Sequence, residues 1–475
     1  MDTTQFDLVV IGAGSTGENV ADRAARGGLS VAVVENGLVG GDCSYWACMP
    51  SKALLRPGEA LRAAEGVAGA AAAVSGALDV DAVLRRRDSF VSGWDDSGQV
   101  EWLEGAGLVL VRGTGRITGE REVTVDTDGG GQQVLRARHA VAVCTGAEPL
   151  VPGIEGLREA RPWTSKDATS AEAVPDSLVV IGGGVVACEL ATAFADLGAG
   201  VTVVARSGLL GSMEPFAGEA VVARLRERGV EVLLDASAQR VTRADGAVTV
   251  ETDDGRRVVA AEVLVATGRR PRTGGLGLAA VGLADDEYPQ VDDTMRVVGS
   301  DWLYAVGDVN GRVLLTHQGK YQARAAGDVI AARAAGGAVD DAPWGPHVAT
   351  ADHRAVPQVV FSDPQVASVG LTSAAAREQG LNVSVAEFEL GDVAGAGLHR
   401  DGYEGHACLV VDEDRSVVVG ATFVGPDVAE LLHAATIAVV GEVPLERLWH
   451  AVPAYPTMSE IWLRLLEAHG RPRSD

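Results

Sequence analysis

The sequence predicts an α/β chain built from two Rossmann-like dinucleotide-binding domains plus a C-terminal α+β domain. Three observations lead there. FDLVVIGAGSTGENVADRAARGGLSVAVVEN near the N-terminus and SLVVIGGGVVACELATAFADLGAGVTVVARS about 170 residues later repeat one design: apolar strand, glycine turn, helix, second strand. From about residue 346 the texture changes to alternating segments such as HACLVVDEDRSVVVGATFVG, which read as an antiparallel sheet with flanking helices. At 475 residues there is chain for roughly three such bodies, at about 150 residues each.

The first repeat carries Gly12, Gly14 and Gly17 in a G-x-G-x-x-G turn, which can lay a pyrophosphate against a helix N-terminus. Glu35, twenty-three residues after Gly12, ends the second strand, where a carboxylate can accept from an unphosphorylated ribose. In the second repeat Gly182, Gly184 and Ala187 hold the turn positions, but the same offset leads to Ala205 followed by Arg206. A guanidinium in place of the carboxylate suits a 2′-phosphate, which favours NADPH over NADH at this site.

Between the repeats, RAAEGVAGAAAAVSGALDVDAVL is rich in helix formers and reads as a helical excursion of the first domain. After the second repeat, VVAAEVLVATGRRPRT is a further strand and turn, and DWLYAVGDVNGR a strand ending at Gly307 and Asp308.

Composition excludes several classes. Apolar residues make up 47% and charged residues 22%, enough for packed cores. With 40 basic and 65 acidic residues the net charge is -25, which repels nucleic acid and anionic membrane, so neither is an expected partner. MDTTQFDLVVIGAG lacks the features of a signal peptide and no apolar run is long enough to span a bilayer, so a cytoplasmic location is expected. In that reducing compartment five cysteines do not make a disulfide scaffold.

Two of the five, Cys43 and Cys48, stand five positions apart in GGDCSYWACMPSK, residues 40–52. A metal site needs further ligands at short spacing, and Cys144, Cys188 and Cys408 are singly placed with no closely spaced histidines, so no metal is expected. A buried structural pair fits poorly with the flanking glycines. A dithiol that opens and closes as it passes electrons fits best, its attacking sulfur activated by a cation or a helix N-terminus.

Together GGDCSYWACMPSK, GAGSTG, VCTG at 143–146, IGGGVVACE, VATGRRP, YAVGDV and SDPQVASVGLT resemble the FAD-dependent pyridine nucleotide-disulfide oxidoreductases, the group of dihydrolipoyl dehydrogenase, glutathione reductase and mercuric reductase. The resemblance runs over nearly the whole chain. It implies an FAD-binding domain at 1–150, an NAD(P)H-binding domain at 151–275, a central segment at 276–345 returning to the FAD domain, and an interface domain of a homodimer at 346–475. It implies FAD contacts from Gly12, Gly14, Gly17, Glu35, Gly41, Asp42, Lys52, Thr145, Gly146, Gly268, Arg269, Gly307 and Asp308, and nicotinamide-nucleotide contacts from Gly182, Gly184, Ala187, Arg206 and Ser207. Cys48 would be the charge-transfer thiolate beside the flavin, Cys43 the sulfur that exchanges with substrate, and Lys52, paired with Glu189, would lie near flavin N5.

The pattern breaks near the C-terminus. The family usually carries His-x-His-Pro-Thr-x-Ser-Glu, whose second His, from the partner subunit, shuttles the thiol proton. Here VPAYPTMSE puts Pro453 and Tyr455 at the two His positions and keeps Glu460. A tyrosine hydroxyl near neutral pH donates a proton far more readily than it accepts one. Val185 stands where relatives often place a Tyr over the flavin, and the given sequence ends GRPRSD, without the paired cysteines with which mercuric reductases capture their ion, which argues against mercury as substrate.

The sequence therefore reads as a homodimeric NAD(P)H oxidoreductase, its active site shared between subunits, passing electrons through FAD to the Cys43/Cys48 disulfide. From there they go to a small thiol, disulfide or other soft electrophilic substrate. Two alternatives stay open: a diaphorase reducing quinones, oxygen or metal ions without the dithiol, and an FAD-bound redox sensor.

Overall fold

The computed structural model describes residues 3–471; residues 1–2, where the reading of the N-terminus begins, and 472–475, where that of the chain's end partly falls, lie outside the described residues. The chain divides into two compact units, one of Met1–Pro50, Asp88–Leu150 and Arg269–Asp352, the other of Ser51–Arg87, Val151–Gly268 and His353–Asp475.

In the first unit, strand Thr3–Ile11 pairs in parallel with Val31–Glu35 on one side and Gln132–Val143 on the other, with Val109–Gly119 and Leu303–Ala305 beyond them. Its run Leu8–Ile11 is apolar without alternation because both faces of the sheet are covered. One face packs on helices Ser15–Arg26 and Thr316–Ala334, through Val20, Ala24, Ala326 and Val329. The other packs on Leu276, Leu278 and Trp302. The long strands Val109–Gly119 and Gln132–Val143 run on into antiparallel pairing with Glu122–Thr127.

In the second unit, the parallel strands Glu262–Val265, Ser177–Ile181, Gly200–Val204 and Glu231–Leu233 lie side by side in that order, joined by helices Val185–Asp196 and Pro215–Glu227. A five-stranded antiparallel sheet is built from Pro357–Val360, Gln365–Gly370, Val417–Gly425, His406–Asp412 and Val383–Glu389. Val360, Val366 and Val424 of that sheet join the core around Leu190, Phe194 and Val203.

The alanine-rich excursion is not one helix. Helix Cys48–Glu65 stops before Gly66, Gly69 and Gly76 adopt left-handed backbone, and a new helix starts at Val80. Alanine propensity loses there to the entropy and turn preference of glycine. By packing, Ser51–Arg87 belongs to the second unit.

Arg62 anchors that segment. Its Nη1 lies 2.6 Å from Asp196 Oδ2 and its Nε 3.1 Å from Asp363 Oδ2. Arg228 also pairs with Asp196, and Arg224 Nε reaches Asp363 at 3.0 Å. Asp196 is almost completely enclosed, so its charge is held only by these guanidiniums. Asp196→Ala leaves Arg62, Arg224 and Arg228 with Asp363 as their one shared carboxylate and should destabilise the second unit by about 3–5 kcal/mol, read as a lower urea midpoint.

Candidate functional site

Each βαβ unit builds its turn from glycines with distinct jobs. Gly12 holds φ +101°, and a Cβ there would come 2.6 Å from the Cys144 carbonyl oxygen. A Cβ on Gly17 would collide with the Gly12 carbonyl, so that position must be bare for the helix to seat. Gly14 differs: a Cβ there would meet only the Gly41 Cα, at 3.9 Å, and helix Ser15–Arg26 that it opens has no side-chain cap. The result is an open cradle in front of uncapped amides. Glu35 closes its far end, Oε2 accepting from the Ala13 N–H at 2.6 Å and Oε1 from the Gly37 N–H at 2.7 Å.

Gly41 binds this turn to the cysteines. At φ +62° its missing Cβ would come 2.8 Å from the Gly14 Cα, so the short helix Gly41–Tyr45 starts in direct contact with the cradle. Cys43 sits in that helix and Cys48 opens helix Cys48–Glu65. Both are thiols here. The Cys43 thiol is pushed well above its usual range, first by its hydrogen bond to Cys48 and then by burial. Cys43 is thus the half of the pair that keeps its proton. Cys48 Sγ lies 3.2 Å from Thr316 Oγ1, within hydrogen-bond reach, and stands at the N-terminal ends of two helices, which favours negative charge there.

Around the same unit, Asp42 Oδ2 accepts from Arg269 Nη2 at 3.1 Å, and Thr145 Oγ1 donates to the Arg272 carbonyl at 2.7 Å, beside Gly146 at φ +74°. Burial raises the Asp308 carboxyl above the ordinary range, opposed by the Arg269 charge and reinforced by Asp42. Gly307 lies against the Thr16 side chain, and its N–H donates to Gln322 Oε1 at 2.8 Å. Arg269 Nε is buried without a hydrogen-bond partner among the described residues, an unmet donor facing this cluster.

The second unit repeats the cradle. Gly182 takes φ +139° under the Ala266 carbonyl, Gly184 opens the uncapped helix Val185–Asp196 with no atom within 4 Å of its missing Cβ, and Ala187 is buried where a third glycine could stand. Arg206 and Ser207 lie exposed just past strand Gly200–Val204, and Gly268 ends this part of the unit at φ +130°. Glu189, buried on the same helix, accepts from Lys52 Nζ at 2.7 Å through Oε2 and from the Phe361 N–H at 3.0 Å through Oε1. Lys52 Nζ lies 5.0 Å from the centre of the Phe361 ring.

Tyr455 and Glu460 are not brought together. Tyr455 is 77% exposed, next to the equally exposed Val452, whereas Glu460 is buried, with Oε1 2.7 Å from Arg464 Nη2 and Oε2 unpartnered among the described residues. No group of three metal-binding side chains occurs among the described residues, and no helix of theirs is long and apolar enough to cross a membrane.

Sequence reasoning missed three groups in the first unit. Thr316 and Lys320 open helix Thr316–Ala334, and Glu18 lies in the first turn of helix Ser15–Arg26. Glu18 was the legible one, a carboxylate directly after the third turn glycine. Burial pushes its carboxyl up to about 7, with Lys320 opposing and Glu35 adding to the rise.

Two glycine cradles and a thiol pair define a redox protein that handles two nucleotides. Comparison with known proteins narrows the class: residues 6–326 match the pyridine nucleotide-disulphide oxidoreductase family and residues 356–465 match its dimerisation domain. The chain belongs to that family. It is 34% identical over 464 residues to a mercuric reductase of Acidithiobacillus ferrooxidans, covering 97% of this chain and 82% of that one. It is also 34% identical over 468 residues to dihydrolipoyl dehydrogenase 2 of Haloarcula marismortui, covering 96% and 95%. The HOCl-induced flavoprotein disulfide reductase RclA from Escherichia coli shares the fold with a TM-score of 0.82 at 23% identity, over 97% of this chain and 99% of that one. LpdA from Mycobacterium tuberculosis does so with 0.82 at 24%, over 98% and 99%. The protein is accordingly an enzyme, an NAD(P)H- and FAD-linked disulfide oxidoreductase acting on sulfur groups. The residues of the first unit fit FAD: the bare face at Gly14, the uncapped amides behind it and the Glu35 carboxylate beyond suit a pyrophosphate followed by a ribose.

Glu18 also makes a stability test. Between its ordinary 4.5 and about 7 the folded chain holds a proton that the unfolded chain has released, so stability falls as pH rises through that window. Glu18→Gln, neutral throughout, should be more stable than the parent near pH 8 by up to about 3 kcal/mol and indistinguishable near pH 4, in urea unfolding.

Proposed function

We propose that the enzyme takes electrons from NADPH rather than NADH and delivers them through the Cys43/Cys48 pair to a small disulfide or soft electrophile. The carrying observation is the asymmetry of the thiols: Cys43 keeps its proton because Cys48 lies beside it, and Cys48 has Thr316 and two helix ends to hold a charge. A pair so divided has one sulfur ready to exchange with substrate and one ready to stay ionised, which supports Cys43 as the exchanging sulfur and Cys48 as the resident thiolate.

FAD, when bound, supplies the two-electron chemistry that links a nicotinamide to a disulfide. The chain's residues do the rest. Gly12, Gly14, Gly17, Glu35, Gly41, Asp42, Thr145, Gly146, Gly268, Arg269, Gly307 and Asp308 bind and orient it. Gly182, Gly184, Ala187, Arg206 and Ser207 bind the nicotinamide nucleotide. Lys52 Nζ is paired with Glu189 at 2.7 Å, and Glu189 is fixed from behind by the Phe361 amide, which supports this pair as an oriented dipole for the flavin.

The segments follow the same reading, FAD-binding at 1–150, NADPH-binding at 151–275, the central return at 276–345 and the interface at 346–475. The dimerisation-domain match and the exposure of Val452 and Tyr455 support a homodimer in which Tyr455 and Glu460 of one subunit complete the site of the other. Tyr455 then presents a hydroxyl donor to the departing sulfur. The acidic net charge and the lack of a spanning helix among the described residues support a cytoplasmic enzyme with neither nucleic acid nor membrane as partner.

Cys43→Ser should bring disulfide turnover to background while FAD is retained; a variant as active as the parent with every disulfide tested would sink the thiol reading. For the nucleotide, Arg206→Ala removes one charge-assisted contact worth about 1.5–3 kcal/mol. The NADPH to NADH ratio of kcat/KM should fall about tenfold to a hundredfold, and an unchanged ratio would remove Arg206 from the site.

A further inference from the structure

Glu18 has no part in the chemistry assigned so far, yet its surroundings join it to the thiols. Its Oε1 is buried without a hydrogen-bond partner among the described residues. It lies where three helices meet. Helix Ser15–Arg26 touches the Gly41–Tyr45 helix at Gly14 and Gly41, and it touches helix Thr316–Ala334 at Thr16 and Gly319, where a Cβ on Gly319 would come 2.5 Å from Thr16 Oγ1.

The charged and titratable groups that face Glu18 are Lys320 from the Thr316–Ala334 helix, Glu35 from the end of strand Val31–Glu35, and Tyr45 from the Gly41–Tyr45 helix. Lys320 also faces Cys43, and it stands one turn beyond Thr316, whose hydroxyl reaches Cys48. One ammonium therefore serves both the carboxyl and the redox pair.

We propose that Glu18 is a positioning residue for the dithiol: acting through Lys320, it takes up a proton when the pair is reduced and releases it when the disulfide re-forms. The step balances. Two electrons from the reduced pyridine nucleotide break the S–S bond, Cys43 takes one proton from solvent, and Cys48 keeps the negative charge. That charge and the Glu18 carboxylate then compete for the single ammonium of Lys320, and a second solvent proton on Glu18 relieves the competition. Re-forming the disulfide returns both protons and both electrons. Linkage is reciprocal, so a protonated Glu18 favours the reduced pair by as much as the reduced pair favours protonation of Glu18. Burial has already moved Glu18 into the range where the exchange occurs near neutral pH.

The proposal rests on the reading of Cys43 and Cys48 as the redox pair, and the experiment separates the two. The FAD-loaded enzyme is equilibrated in dithiothreitol redox buffers from about pH 6 to 8, and the disulfide fraction is read by alkylating the free thiols and weighing the protein. Converted to a midpoint potential against the dithiothreitol couple, which itself takes two protons per two electrons, a pair that takes one proton shifts by about 30 mV per pH unit. The parent should be steeper than that around pH 7 and Glu18→Gln should keep the one-proton slope throughout. In Lys320→Met the steep region should move to higher pH, because Glu18 loses the cation that lowers its proton affinity. Infrared difference spectra should show a protonated-carboxyl band gained on reduction in the parent and absent in Glu18→Gln. Equal slopes in parent and Glu18→Gln overturn the proposal, and a steep region unmoved in Lys320→Met overturns the route through Lys320. A pair that forms no reversible disulfide sinks the dithiol reading and this inference with it.

Discussion

The first unit depends on one contact that only glycine allows, the seating of Gly41 on Gly14. Because no side chain intervenes, the helix that carries Cys43 starts where the cradle for the nucleotide starts. The distance between phosphate site and sulfurs is thereby set by backbone, with no flexible side chain in the path. The same economy recurs at Gly319 against Thr16, which brings the Thr316–Ala334 helix close enough for its first residue to reach Cys48. Bare backbone at these points is what lets three helix ends meet around one pair of sulfurs.

Around the two glycine cradles, buried charge is handled in opposite ways. In the second, Glu189 is fully partnered, with Lys52 on one oxygen and the Phe361 amide on the other, and Asp196 is shared by two arginines. Removing either carboxylate would strand a partly buried cation. In the first, Glu18 and Arg269 Nε are left incomplete. An incomplete buried group costs stability, and the cost makes sense where charge must change hands.

Much of the turn geometry was legible because it is written in residues that tolerate no substitute. Gly12, Gly17 and Gly182 stand where a Cβ would strike a carbonyl, so the turns can be read from spacing alone. Cys43 and Cys48 were legible as a pair with roles implied by the resemblance, but Thr316 and Lys320, which arrive from a helix more than 250 residues away, were not. The alanine-rich stretch was legible as helical but not its breaks, where Gly69 and Gly76 take positive φ. Chain reading was silent on Arg62, whose partners Asp196 and Asp363 come from two distant segments.

The absence of an imidazole from VPAYPTMSE sharpens the question of where the protons of a dithiol go. A general base must touch the atom it deprotonates, so a tyrosine in its place, as the resemblance implies, would be a loss at the point of contact. The energy of a thiolate, however, is also set at a distance: a charge felt in a poorly hydrated interior decays slowly, and a group that never touches sulfur can still decide whether the sulfur ionises. The Lys320 charge lowers the proton affinity of both Cys43 and Glu18, and burial raises the Glu18 carboxyl to about 7. The first unit thus holds its own supply of a compensating charge, placed before any partner subunit contributes. Under the proposed function Tyr455 is then asked only to donate, which a tyrosine does well, and the burden of balancing the reduced pair stays with residues on the same chain.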